Sequence, residues 1–311
     1  MTALDTQFSA ADPARYATGP EVYLRLLKPR VMSLSVMTAL AGMLVAPGRL
    51  NIALGFIALV AIAAGAGAAG ALNMWWDSDI DGHMARTRLR PIPAGQVEAG
   101  EALGLGLILT FFSVVTLAFA ANALSAFLLA FTIAFYLVIY SMWLKRTTPQ
   151  NIVIGGAAGA LPPMVGYAAT SGSVTLDSVL LFAIIFVWTP PHFWALALVK
   201  QGDYARVDMP MMPNVKGRPR TKLEILAYSV VLAPLGVTPY FTGLGGGAYG
   251  LVAAVGGAIF LGYAWRVYRS DDGLAANKIA MAMFRYSIGY LFALFATLIG
   301  ERTLAFVLGW A

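Results

Sequence analysis

The chain has no cysteine among its 311 residues and only 2 histidines. Without cysteine it can build no disulfide framework, no thiolate metal site and no cysteine nucleophile. Charge is equally scarce. Asp, Glu, Lys and Arg together make up 12 % of the sequence, about half of the roughly 25 % found in an ordinary soluble domain. Hydrophobic residues account for 59 %, and the mean hydropathy is +0.74. These values exclude a soluble globular enzyme and a disordered chain, and leave a polytopic membrane protein. The apolar runs are continuous, with Gly and Pro inside them, so they specify helices rather than the alternating strands of a barrel. The net charge of +6 is then a topology signal, not evidence for nucleic acid.

Nine segments reach the length needed to cross the hydrocarbon core, which takes about 20 mostly apolar residues. They fall near 31–47, 50–76, 102–120, 124–144, 152–170, 179–199, 223–242, 248–268 and 280–299. Residues beyond Glu301 are too few to span again. All but Arg49 and Arg302 of the 21 Lys and Arg residues lie on one side of this arrangement. The positive-inside rule makes that side cytoplasmic, with the N-terminus inside and the C-terminus outside. Met1 to Gly19 carry Asp5 and Asp12 and no apolar core, so they resemble neither a secretory signal nor an acid-poor presequence. The expectation is a mobile cytoplasmic tail over 1–22 and a single transmembrane domain over 23–311, in a bacterial inner membrane.

The acidic residues fit for chemistry sit in two cytoplasmic loops, after the second and sixth spans. The first reads NMWWDSDIDGHMARTRLRPIPAG from Asn73, the second KQGDYARVDMPMMP from Lys200. Both spans run outside to inside, so the two loops can meet at one membrane face. Asn73, Asp77 and Asp81 are spaced i, i+4, i+8, which on a continuing helix puts them on one face; Asp79 points away. Such carboxylates suit a hard cation like Mg²⁺, which takes one or two carboxylates and leaves room for phosphate oxygens. The plainer alternative is a solvated helix end. Asn73 lies inside the apolar run, where a polar side chain is expensive and usually functional. Arg86, Arg88 and Arg90 follow, able to clamp phosphate oxygens bidentately or simply to mark the cytoplasmic side. In the second loop Lys200 and Asp203 are three apart, either a diphosphate contact plus a second metal ligand or an ordinary ion pair. His192 belongs to the Thr189–Leu198 stretch TPPHFWALAL, where Pro190 and Pro191 break the helix and free carbonyls. It can bind a metal, haem iron or a propionate, or satisfy those carbonyls. Glycine- and alanine-rich runs, GAGAAGALN and GGAAGALPP, permit close helix packing.

Taken together, Asn73-x-x-x-Asp77-x-x-x-Asp81, Met84-x-Arg86-Thr87-x-x-Arg90-Pro91, Thr189 to Trp194, Asp203-Tyr204 and Pro210 to Pro213 resemble the intramembrane prenyltransferase superfamily, and within it the branch that farnesylates haem. The resemblance runs from Tyr23 onward. It implies a transferase with farnesyl diphosphate and haem B as substrates and one or two Mg²⁺ ions, held by Asp77, Asp81 and Asp203. It further implies catalytic roles for Asn73, Asp77, Asp81, Arg86, Arg90, Lys200 and Asp203, and an acceptor role for His192. The active site would open at the cytoplasmic face, with the lipid bilayer as surroundings and haem A synthase or terminal oxidase assembly factors as partners. Lys200 replaces the first of two aspartates found in other branches, and Asp208 stands where a small residue is usual. Two alternatives stay open: prenyl transfer to an aromatic quinone precursor, and a haem-handling protein without enzymatic activity.

Overall fold

The computed structural model describes residues 19–48 and 50–309; most of the expected N-terminal tail and Arg49 lie outside the described residues. Every regular element among them is helical. In chain order these are α1 (Pro20–Leu26), α2 (Pro29–Val45), α3 (Ile52–Trp76), the single turn α4 (Ser78–Asp81), α5 (Ala99–Ala120), and α6 (Ala123–Ala134). The last runs on through a π-helical stretch (Phe135–Leu144) into α7 (Lys145–Thr147). Then follow α8 (Asn151–Ala160), α9 (Pro162–Ser171), α10 (Leu176–Val199), α11 (Gln201–Ala205), α12 (Met212–Val215), α13 (Gly217–Phe241), α14 (Gly247–Arg269) and α15 (Leu274–Val307). Eight helical runs, counting Ala123–Thr147 and Asn151–Ser171 as one each, are long and apolar enough to cross a membrane. The first expected span, α2, is an apolar helix of 17 residues, shorter than these. α1 begins at Pro20, ahead of the tail boundary expected at residue 22.

Two expectations need correction. Pro190 and Pro191 do not break their helix: α10 is continuous over Leu176–Val199. The final helix does not stop at residue 299 but carries Glu301 and Arg302 on to Val307. Glu301 thereby accepts the free backbone N–H groups of Gly246 at 2.7 Å and Tyr249 at 3.0 Å. A carboxylate at the N-terminus of α14 meets unsatisfied donors and the positive end of the helix dipole.

Helix packing depends on small residues, as expected where no hydrophobic driving force separates helix from lipid. The tightest contact joins α2 to α9 and is reciprocal. A Cβ on Gly42 would stand 2.0 Å from the Pro163 carbonyl oxygen, and one on Gly166 would stand 2.0 Å from that of Ala39. Backbone lies on backbone here, so no side chain can yield. Large side chains left over, among them Phe56, Phe111, Phe119 and Phe241, are exposed on the outside of the bundle, where acyl chains solvate them. At the opposite end from Glu301, Arg218 donates to Asp272, Asn277 and the Leu198 carbonyl, while Lys222 donates to Asp272 and the Ser270 carbonyl. This network ties α10, α13 and α15 together. Asp208 has a φ of 48°, a left-handed backbone that Asp tolerates better than most residues, which explains why a small residue suits that place.

Gly42→Ala and Gly166→Ala should each force α2 and α9 apart, costing about 1–3 kcal/mol or more by overpacking. Lower melting temperature and poorer accumulation in the membrane are the expected results; a variant melting like the parent would show that the two helices are not held this closely.

Candidate active site

α3 ends at Trp76, and Asp77 caps it with φ −84° and ψ 2°. The chain still turns as a helix, because Asp77 N–H donates to the Asn73 carbonyl and Asp81 N–H to that of Asp77. Asn73 and Asp81 are therefore on the Asp77 side, and all three side chains are buried, with Asp77 at 0 % exposure. Asp79 points out, its side chain 56 % exposed and bridged by Arg146 with two bonds of 2.8 Å. Those hydrogen bonds hold the Asp79 carboxyl below its ordinary range.

Each buried carboxylate meets a cation. Lys145 Nζ lies 2.5 Å from Asp77 Oδ2, and Arg90 Nη1 lies 2.6 Å from Asp81 Oδ2. Asn73 Nδ2 donates to Asp77 Oδ2 at 2.7 Å and to Ser141 Oγ at 2.9 Å, while its Oδ1 accepts from Lys28 Nζ at 2.6 Å. Lys28 arrives from the elbow between α1 and α2, in a left-handed conformation with φ 51°. Burial holds its ammonium well below the ordinary lysine range; repulsion from Arg90 and Lys145 adds to this, against attraction to Asp77 and Asp81. Lys28, Lys145 and Ser141 are not among the residues the sequence singles out. Their signal is weak, since a lysine at a cytoplasmic helix end is expected on topological grounds alone.

The two acidic loops share one core, in which Met84 of the first belongs to the same buried cluster as Tyr204, Met209, Met211 and Met212 of the second. Tyr204, in α11, is buried, and burial raises its phenol; Arg86 and Arg90 of the first loop oppose that rise, and neighbouring Asp203 adds to it. Asp203 pairs at 3.1 Å with Arg206, three residues on, rather than with Lys200, three residues back. The Lys200 ammonium and the Arg86 guanidinium have no hydrogen-bond or ion-pair partner among the described residues. No three acidic or histidine side chains gather into a metal cluster among the described residues; Asp203 stands apart from Asp77 and Asp81. A hard cation nevertheless fits at Asp77. Its Oδ1 is a buried oxygen without a hydrogen bond, with the Arg146 guanidinium 4.0 Å away, and a carboxylate oxygen is the hard donor that Mg²⁺ takes.

His192 lies elsewhere, on the α10 face against α15. Its ring stacks between Trp188, at 4.2 Å, and Phe284, at 4.5 Å, and Nδ1 is 2.6 Å from Ser287 Oγ. Ser287 spends its only proton on the Phe284 carbonyl at 2.6 Å. His192 Nδ1 must therefore be the donor, which leaves the lone pair on Nε2. The imidazole satisfies a serine, not the carbonyls freed by Pro190 and Pro191.

A membrane bundle with a buried Asn–Asp–Asp face ringed by Lys and Arg fits an intramembrane enzyme. The chain belongs to the UbiA prenyltransferase family, whose profile matches residues 35–288. Within that family it is similar along its length to protoheme IX farnesyltransferases. It is 58 % identical over 306 residues to that of Methylocella silvestris, covering 98 % of this chain and 97 % of the relative. Identity is 59 % over 291 residues with that of Beijerinckia indica, covering 94 % and 91 %, and 54 % over 318 with that of Rhizobium rhizogenes, covering both chains fully. Among solved structures, a digeranylgeranylglyceryl phosphate synthase shares the fold with a TM-score of 0.74 at 17 % identity, covering 90 % of this chain and 98 % of the other. A UbiA homologue from Archaeoglobus fulgidus, bound to DMAPP and Mg²⁺, does so with a TM-score of 0.67 at 16 % identity, covering 89 % and 98 %.

Breaking the buried Lys145–Asp77 pair should be costly, because an uncompensated buried charge loses about 3–5 kcal/mol. Lys145→Met is expected to lower the melting temperature sharply, and Lys145→Met with Asp77→Asn to regain most of it. Additive losses in that double-mutant cycle would mean the two groups do not share a charge environment.

Proposed function

We propose that this protein transfers the farnesyl group of farnesyl diphosphate to a vinyl group of haem B, at the cytoplasmic face of a bacterial inner membrane. The observation that carries this reading is the buried Asn73–Asp77–Asp81 face with its Lys28, Lys145 and Arg90 cations, in a chain 54 % to 59 % identical to protoheme IX farnesyltransferases. Nine spans, with the N-terminus inside, account for the sorting of the Lys and Arg residues.

Asp77 and Asp81 would hold Mg²⁺ on the first loop, and Asp203 a second ion from the other. When bound, the metal supplies Lewis-acid neutralisation of the departing diphosphate. Arg86 and Lys200, without a hydrogen-bond or ion-pair partner among the described residues, would take diphosphate oxygens. Lys145 and Arg90, paired with the Asp77 and Asp81 carboxylates in this structure, would be free to neutralise the leaving group once those carboxylates held the metal. Cleavage of the C–O bond leaves an allylic cation and diphosphate. The bundle excludes bulk water and so protects that cation. The vinyl π electrons attack it, water adds to the resulting carbocation with loss of a proton, and a hydroxyethylfarnesyl substituent remains. His192 offers its Nε2 lone pair to the haem iron, steadied through Nδ1 by Ser287. The route past haem, to haem A synthase and oxidase assembly, follows from the nature of the product.

Mass spectrometry of haem extracted from expressing cells should show haem B carrying the hydroxyethylfarnesyl increment. Asp77→Ala and Asp81→Ala should abolish it with the protein still inserted, and Asp79→Ala should be much milder. Unmodified haem B alongside a prenylated aromatic product would replace this function with the quinone-precursor alternative.

For the acceptor side, His192→Ala should weaken haem binding roughly ten- to a hundred-fold, the loss of about 1.5–3 kcal/mol, and spare farnesyl diphosphate binding. Equal loss of both ligands together with a lower melting temperature would assign the imidazole a packing role.

A further inference from the structure

The helix carrying Ser141 and Lys145 is wound unusually. Phe135–Leu144 form a π-helix of 10 residues, far longer than the single-turn bulges in which π geometry mostly occurs, often at functional sites. In an α-helix, residues five apart are rotated by roughly 140°. With i→i+5 hydrogen bonds that offset shrinks, and the Tyr136 carbonyl comes within reach of the Ser141 hydroxyl.

The hydroxyl bonds record that winding. Thr110, Thr132, Thr147 and Ser229 each donate to the carbonyl four residues back. Ser141 Oγ instead donates to the carbonyl of Tyr136, five residues back, at 2.9 Å. Its one proton is thereby committed, and toward Asn73 it can only accept. It accepts from Asn73 Nδ2 at 2.9 Å. The amide orientation of Asn73 is then fixed. Its second N–H faces Asp77 Oδ2 and its Oδ1 faces Lys28. Asp77 Oδ2 thus receives both Asn73 and Lys145, while Oδ1 accepts no hydrogen bond and has the Arg146 guanidinium 4.0 Å away.

We infer that Ser141, with its proton turned away by the π-helical winding, is the positioning residue that orients Asn73 and so presents Asp77 Oδ1 to a metal–diphosphate ligand. Ser141 touches no reacting atom; it acts through Asn73. The opposite amide orientation would aim Oδ1 at the Asp77 carboxylate and the NH₂ at the Lys28 ammonium, like against like on both sides. This inference rests on the proposed diphosphate chemistry of the site.

The test is calorimetric titration of purified, detergent-solubilised full-length protein with Mg²⁺ and inorganic pyrophosphate, which involves neither haem nor a prenyl chain. Ser141→Ala should lower pyrophosphate affinity about tenfold, the usual effect of losing one buried hydrogen bond, with the melting temperature kept within a few degrees. Ser141→Thr retains the hydroxyl and should stay within about threefold of the parent. If the alanine variant does not accumulate, Ser141→Cys, close in size and a weak acceptor, is expected to show the same tenfold loss. Parent-like affinity in Ala or Cys, or equal loss in Thr and Ala, overturns the inference and leaves the proposed function standing. A parent protein that binds no Mg²⁺–pyrophosphate overturns both.

Discussion

A carboxylate buried at the end of a membrane helix is the constraint from which the rest of this structure follows. Asp77 has no exposed surface, and an isolated charge in such surroundings would neutralise or unfold its site. It persists because three separate elements converge on it. Asn73 comes from the same helix, Lys145 from the end of the π-helical span, and Lys28, through Asn73, from the α1–α2 elbow. None of these contacts is local in sequence except that of Asn73. The bundle must therefore be assembled correctly before the site exists, and the site in turn supplies much of the polar specificity that lipid-facing helices lack.

Close packing makes that convergence feasible. Gly42 and Gly166 let α2 and α9 touch backbone to backbone, and Gly70 of α3 lets the α1–α2 elbow come close, since a Cβ there would stand 3.3 Å from the Leu26 carbonyl oxygen. Gly155 does similar work for the π-helix, since a Cβ there would meet the Tyr140 ring at 2.0 Å. At the two ends of the bundle, Glu301 on the N-terminus of α14 and the Arg218–Asp272–Lys222 network fix the later helices. Precision at Asp77 is thus distributed over many small residues and a few terminal polar contacts. That arrangement leaves the outer surface free to be uniformly apolar.

Much of this was legible in the residues themselves. Long apolar runs located the spanning helices, since in a bilayer length and hydropathy leave little else to choose, but the charged ends of α13 and α15 extend them by six to eight residues beyond those runs. The separation of Asp77 and Asp81 from Asp79 followed from helical geometry alone. Long-range polar pairing was not legible. Lys28 and Lys145 are ordinary cytoplasmic lysines until folding places them against Asn73 and Asp77. The π-helix was invisible because a run of apolar and aromatic residues broken only by Ser141 reads the same at any winding. Pro190 and Pro191 misled in the other direction: propensity says break, but neighbouring helices carry the strain and α10 runs straight through. Tertiary packing overruled local preference at each of these places.

The distribution of paired and unpaired cations says what the site awaits. Lys145 and Arg90 already neutralise Asp77 and Asp81, so neither is free to bind an anion while the carboxylates lack another counter-charge. Arg86 and Lys200 have no such partner among the described residues. A free anion arriving alone would meet only half of the cations and would repel the aspartates. Under the proposed function, an anion arriving with a divalent ion would change both halves at once. Asp77 and Asp81 would hold the metal, and Lys145 and Arg90, relieved of the carboxylates, would join Arg86 and Lys200 around the diphosphate. Electrostatic pairing of this kind would make metal and diphosphate mutually dependent ligands. It would confine strong positive potential to the moment when a leaving group is present to use it. On that reading the residues that hold the resting site together are the same ones that would stabilise the departing charge.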